Sequence, residues 1–199
     1  MSTNLAKTLL AEVRAAQADE MDPVQYATVR AVLLHLEEHG AAALAKAGHP
    51  VHLTASCFVF DDSLEETLLS FHRKGQFWVQ LGGHIETDDL SLRQAALREF
   101  QEESGITAGV WLSALPLDAD IHDVSSAFGA CRTHLDLAFG AVVPRGTVTA
   151  ASEESDTLGW HPADGLPPDS VTGLAERAAR IRRRILLELL RPDSDGSAS

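Results

Sequence analysis

Gly82-Gly83-His84-Ile85-Glu86-Thr87-Asp88-Asp89-Leu90-Ser91-Leu92-Arg93-Gln94-Ala95-Ala96-Leu97-Arg98-Glu99-Phe100-Gln101-Glu102-Glu103-Ser104-Gly105-Ile106 joins a glycine pair to a segment that starts apolar and ends in carboxylates. Ser91 suits an N-cap and Gly105 a C-terminal stop, so the pattern predicts a helix over 91–104. At roughly 100° per residue, Leu92, Ala95, Ala96, Glu99 and Glu103 fall on one stripe, with Glu102 beside them. Most charge clusters on helices simply face water. Here like charges at i, i+3 and i+4 repel one another, and only Arg98, four before Glu102, compensates. Three carboxylates in an arc of roughly 100° suit a hard divalent cation, because Mg²⁺ takes oxygen ligands and keeps waters and phosphates on its remaining positions. The glycine pair adds a backbone that can approach a ligand closely and a carbonyl that can serve as another oxygen donor.

Outward from this stretch the chain alternates in style. Residues 3 to about 20 and 23 to about 47 carry helical spacing, and Met21-Asp22-Pro23 places Asp as cap and Pro in the first turn. His49-Pro50 ends that region. His52 to Phe60 reads as a strand, Asp61-Asp62-Ser63 as a turn expected on the solvated surface, Thr67 to Phe71 as a second strand, and Phe77 to Leu81 as a third leading into Gly82-Gly83. Further strands are expected near Ala108 to Leu112, His134 to Val143 and Thr157 to Trp160, and a closing helix near 170–190. Helices first, then strands around one central helix, indicate a mixed α and β domain with an N-terminal helical extension over 1–50. The domain proper is expected over 51–191, with 192–199 as a polar tail.

The 199 residues hold 16 basic and 29 acidic side chains, a net charge of −13, and 45% are hydrophobic, enough for a core of its own. Counted by segment, residues 1–60 carry −2, residues 61–169 carry −13 and residues 170–199 carry +2. No basic stripe exists to neutralise phosphates along a duplex, so nucleic acid is excluded as a partner. No run approaches the roughly 18 apolar residues of a membrane span, and Met1 to Lys7 lack the apolar core of a secretory leader. Cys57 and Cys131 are too few for a disulfide framework and sit in no CxxC or Cys/His ligand spacing, so a cytoplasmic, reducing setting is expected.

The quoted stretch resembles the Nudix box: Gly, five residues, Glu, seven residues, Arg-Glu, an aliphatic residue, any residue, Glu-Glu, any residue, Gly, aliphatic. Gly83 matches the first glycine, and Arg98 to Ile106 match the second half with Phe100 in the aliphatic place. Asp89 stands where Glu is usual, and eight residues instead of seven separate it from Arg98. The extra residue falls in the Thr87 to Leu90 loop, where length costs little. The strand from His52, Trp78 ahead of Gly-Gly, and Trp160-His161-Pro162 before a last helix resemble the same family.

The resemblance implies an α/β/α sandwich with a mixed sheet and hydrolysis of a pyrophosphate bond in a nucleoside diphosphate linked to another moiety. It implies Mg²⁺ or Mn²⁺ on Glu99, Glu102, Glu103 and the Gly83 carbonyl, with Arg98 orienting a glutamate. Glu103 is the first candidate for general base and Glu154 the next, with Glu153 beside it. The expected partner is a small-molecule nucleoside diphosphate derivative, with no nucleic acid and no membrane, and a homodimer is allowed. Members that cut dinucleoside polyphosphates often carry a tyrosine after the box, and the single tyrosine here, Tyr26, precedes it. A sensor on the same fold that binds nucleotide or metabolite without turnover is the alternative. His84 and His122 are expected as surface or satisfied core groups, with contact to phosphate the lesser alternative, Cys57 is expected in the core, and the arginines from Arg177 to Arg184 are expected on a solvated face.

Overall fold

The computed structural model describes residues 3–17, 22–44, 49–124, 131–149 and 157–190. Helix α1 (Thr3–Gln17) and helix α2 (Pro23–His39) come first, and a 3-10 turn over Gly40–Leu44 follows. Asp22 caps α2 as the sequence predicts, its carboxylate accepting from the Val24 and Gln25 N–H groups at 3.0 Å each. Pro23 starts the helix at a position whose N–H would be unbonded in any case.

Among the described residues eight strands then form one mixed sheet: β1 (Val51–Asp61), β2 (Glu66–His72), β3 (Phe77–Val79), β4 (Leu81–His84), β5 (Trp111–Leu112), β6 (Asp118–Asp123), β7 (Thr133–Val143) and β8 (Thr157–Pro162). The spine runs β3-β2-β1-β7-β5, with β4 paired to β1, β6 to β7 and β8 to β2. β1 and β7 are parallel along their whole length, from Val51 opposite Thr133 to Asp61 opposite Val143. Their other pairings are antiparallel.

β1 is buried on both faces, as a central strand between helix layers should be. Leu53, Ala55, Cys57 and Val59 point to one side, into a core shared with α1, α2 and helix α3 (Leu92–Ser104). Phe58 and Phe60 point to the other side, with Leu174, Ala178, Ile181 and Ile185 of helix α4 (Leu174–Leu189). The α/β/α sandwich follows from this alternation. Cys57 is fully buried, and burial pushes its thiol up from the ordinary value, as core packing requires.

The N-terminal helices are built into this core. The Gln25 amide both donates to the Ala119 carbonyl at 3.0 Å and accepts from the Ala119 N–H at 2.8 Å. Glu12 of α1 accepts from the Leu92 N–H at 2.8 Å, so a carboxylate of one helix caps the first turn of α3.

Three expectations change. The glycine pair lies inside strand β4, with Gly82 opposite Ser56 and Gly83 opposite Ala55, so the third predicted strand is two short ones. β6 is a strand that the acidic run Asp118-Ala119-Asp120-Ile121-His122-Asp123 does not advertise. The Asp61 turn is not solvated surface. Asp61 is 2% exposed and its carboxylate accepts from the N–H groups of Glu65 and Glu66 at 2.9 and 3.0 Å, folding the β1–β2 connection around itself.

Candidate active site

Helix α3 carries the site and is fixed at both ends. Ser91 Oγ accepts from the Gln94 N–H at 3.0 Å, and Gly105 closes the helix in the left-handed conformation at φ 70°, its N–H returning to the Gln101 carbonyl. Leu92, Ala95, Ala96 and Phe100 bury the inner stripe. That orientation leaves Glu99 and Glu103 half-buried beside β4, with Glu102 exposed at the rim.

The glycines of β4 are needed because Glu99 crowds Gly83 and strand β1 crowds Gly82. A Cβ on Gly83 would lie 2.6 Å from Glu99 Oε1, and one on Gly82 would lie 2.5 Å from Ser56 Cα. The Gly82 N–H donates to Glu103 Oε2 at 3.3 Å. Glu99, Glu103 and the Gly82-Gly83 backbone therefore share one junction.

Arg98 organises the rest. Its Nε and Nη2 donate to the two oxygens of Asp89 at 3.2 and 3.0 Å, and Nη2 also donates to the His84 carbonyl at 2.9 Å. Its Nη1 donates to Glu99 Oε1 and Glu102 Oε2, both at 3.0 Å. A guanidinium has five N–H donors. All five are engaged. Burial opposes the charged form of Arg98, yet hydrogen bonding to Asp89 and the charge of Glu99 hold it above its ordinary range.

The role of Asp89 follows. Its side chain is 2% exposed, it grips Arg98 through two bonds and accepts from the Glu86 N–H at 2.8 Å. The extra loop residue and the shorter side chain still deliver a carboxylate to the guanidinium. Asp89 is an anchor for Arg98 and does not face the carboxylate arc. Burial raises the pKa of Glu99 above the ordinary value; Arg98 pulls it back down, while Glu102 and Glu86 add like charge. The arc is thus a place of negative charge that Arg98 relieves only in part, through one oxygen of Glu99 and one of Glu102. Glu153 and Glu154 lie outside the described residues.

The opposite face of the sheet holds residues that sequence reasoning missed. Arg177 is not on a solvated face: it is 7% exposed, donating from Nε to Asp118 at 2.6 Å and from Nη2 to Asp136 at 2.8 Å, with its guanidinium 5.2 Å from the Phe58 ring centroid. Arg180 Nε donates to Asp118 at 2.6 Å, and Arg184 Nη1 to the Leu117 carbonyl at 2.9 Å. Asp136 also accepts from Thr54 Oγ1, Ser56 Oγ and Gln80 Nε2 at 3.0, 2.7 and 3.3 Å. Next to this network His84, His52, His134 and His122 form a row of rings across β4, β1, β7 and β6. Burial, with the neighbouring imidazoles adding to it, pushes His134 down to about 4. The alternation of polar residues His52, Thr54 and Ser56 on an otherwise apolar strand was the one local signal of this face.

Known proteins share this fold. The NUDIX domain family model matches residues 50–186. A NUDIX-family hydrolase of Clostridium perfringens superposes with TM-score 0.57 at 22% identity, covering 67% of this chain and 97% of its own. The dihydroneopterin triphosphate pyrophosphohydrolase of E. coli gives 0.55 at 15%, covering 70% and 97%. The NUDIX domain of Shewanella oneidensis NrtR, complexed with ADP ribose, gives 0.54 at 20%, covering 75% and 97%. At such identities these structures share the fold. No curated protein matches the chain, and no described helix is long and apolar enough to cross a membrane. The family match spans more than half of the sequence and contains the whole stretch from Gly83 to Ile106, so this chain belongs to the NUDIX domain family.

Proposed function

We propose that this chain hydrolyses the pyrophosphate bond of a small-molecule nucleoside diphosphate derivative, using Mg²⁺ or Mn²⁺ held by Glu99, Glu102, Glu103 and the Gly83 carbonyl. The observation that carries the reading is the junction of β4 and α3, where the Glu99 carboxylate lies against Gly83 and Arg98 ties Glu99 and Glu102 together. The donors are all oxygen and mutually repelling, Glu99 and Glu103 half-buried and Glu102 at the exposed rim, which fits a hard divalent cation.

A bound cation would neutralise this arc and offset the charge that grows on the leaving phosphate. The chain's own residues prepare for that. Asp89 and the His84 carbonyl immobilise Arg98, and Arg98 in turn holds Glu99 and Glu102 in fixed orientations. Glu103, anchored by the Gly82 N–H, is the carboxylate we assign to accept the proton of the attacking water, with Glu154 second. The retained glutamates favour turnover over the sensor reading. The proposal places the enzyme in the cytoplasm and divides the chain into a helical extension over 1–50 and a catalytic domain over 51–191. It allows a homodimer.

Glu102→Gln and Glu103→Gln should remove most turnover and leave the fold unchanged, because each deletes a charged oxygen and no packing group. Phosphate or nucleotide release is measured for wild type and variants across nucleoside diphosphate compounds, with and without Mg²⁺. A wild type inactive on every compound, or variants of full activity, would overturn the proposal.

A further inference from the structure

β1 and β7 set His52 directly opposite His134, and β4 sets His84 opposite Thr54, two residues along β1 from His52 and on the same face. The three rings therefore converge on the face away from α3. Their centroids are 5.0 Å apart for His52 and His84, 5.1 Å for His52 and His134, and 5.3 Å for His84 and His134. Cys131, 3% exposed and just ahead of β7, brings its Sγ to 3.8 Å from His84 Nε2. One ligand atom from each of the four residues lies within 4.8 Å of the other three, and among the described residues no other His, Cys, Asp or Glu group converges in this way.

Ring packing alone would be an ordinary explanation, since such contacts contribute about 0.5–1.5 kcal/mol. Two details exceed it. The His52 Nδ1 lies 3.0 Å from the His49 carbonyl, which can only accept. Nδ1 therefore carries the proton and the lone pair of the neutral ring sits on Nε2, the arrangement of a metal-bound histidine braced by a backbone carbonyl. The His134 Nε2 is buried and has no hydrogen-bond partner among the described residues, a costly state for a polar nitrogen.

We propose that His52, His84, His134 and Cys131 form a four-coordinate site for a zinc-class transition ion, distinct from the glutamate arc. Zinc–nitrogen bonds of about 2.0–2.1 Å and zinc–sulfur bonds of about 2.3 Å set tetrahedral ligand-to-ligand edges of roughly 3.3–3.6 Å. The present spacings close to that geometry with side-chain shifts of about an ångström. Imidazole and thiolate select zinc over Mg²⁺, which prefers carboxylate oxygen. Four protein ligands leave no open position, so the ion is structural: it ties β4, β1 and the start of β7 together. His122 is left out because its Nδ1 is held by Asp120 at 2.8 Å. The site stands whether or not the hydrolase reading does.

The test uses the full chain, stripped with chelator, loaded with Zn²⁺ in excess Mg²⁺ and desalted, with metal content read by mass spectrometry. Wild type should retain about one zinc per chain, and Co²⁺ in its place should show a thiolate-to-cobalt charge-transfer band. Loss of an outer support alone weakens such sites roughly 10–100-fold. Cys131→Ser and His134→Gln, checked for fold by circular dichroism, should weaken Zn²⁺ by at least that much and lose the zinc-dependent rise in melting temperature, while Glu102→Gln keeps both. Zinc retention equal in wild type and the two ligand variants, cobalt without a thiolate band, or zinc lost in Glu102→Gln would each overturn the site. An inactive protein that still holds zinc through Cys131 would refute the hydrolase reading and leave this one standing.

Discussion

Asp89→Asn isolates the anchoring of Arg98. The substitution keeps the size of the side chain and removes its charge. Asp89 Oδ1 now receives Arg98 Nε at 3.2 Å, and Oδ2 receives Arg98 Nη2 at 3.0 Å together with the Glu86 N–H at 2.8 Å. Whichever way the amide turns, its NH₂ group meets a donor. Breaking a fully buried ion pair costs about 3–5 kcal/mol. Arg98 is 20% exposed and keeps Glu99 and Glu102, so the cost falls at or below the bottom of that scale, about 2–3 kcal/mol. For a chain of this size each kcal/mol moves the melting temperature by about 2–4 °C, which gives a fall of roughly 4–12 °C. Turnover should fall as well, because a loosened Arg98 no longer fixes Glu99 and Glu102. Thermal unfolding by circular dichroism and Mg²⁺-dependent hydrolysis are the two readouts. A shift under about 2 °C with unchanged turnover would show that Asp89 anchors nothing, and that the five-donor account of Arg98 is wrong.

Two further substitutions probe the faces of the sheet. Gly83→Ala places a methyl group 2.6 Å from Glu99 Oε1 at a position without positive φ, so the carboxylate must leave while the backbone tolerates the change. Turnover should drop by roughly tenfold or more, with stability lost by less than about 2 kcal/mol; full activity would contradict the close approach of Glu99. Arg177→Met removes the cation shared by Asp118 and Asp136, 0% and 3% exposed, leaving Arg180 on Asp118 and no arginine on Asp136 among the described contacts. Urea unfolding should show a loss of about 3–5 kcal/mol, and a change under about 1 kcal/mol would mean that water enters the network freely.

What could be read from the sequence was what local chemistry decides. Helix α3 announces itself because its caps, its apolar stripe and its carboxylates are written within one segment, and the α2 cap at Asp22 likewise needs only its neighbours. β6 gives no such sign. Asp118, Asp120 and Asp123 resemble a solvated loop until β7 supplies a hydrogen-bonding edge and Arg177, 59 residues away, supplies the charge that makes burial of Asp118 affordable. Arg183 is exposed as expected, while the solvated-face expectation fails for Arg177 and Arg180 for the same reason. Periodicity shows that they flank the apolar stripe, but only strand pairing shows that carboxylates wait beneath them.

The same non-local logic joins the two sites. Side chains alternate along β4, so Gly83 faces α3 and leaves room for Glu99, while His84 faces the other way toward His52 and His134. Both placements depend on one register, Gly83 opposite Ala55 and His84 opposite Thr54. A slip of β4 by one residue would turn His84 into the carboxylate arc and Gly83 into the ring cluster, destroying both at once. An ion held by His84, His52, His134 and Cys131 would pin that register from one face, and Arg98, donating to the His84 carbonyl, pins it from the other. β4 is only four residues long. A strand so short has few ladder bonds to set its own alignment, which is why side-chain anchors on both faces are needed to hold a glycine pair where the chemistry requires it.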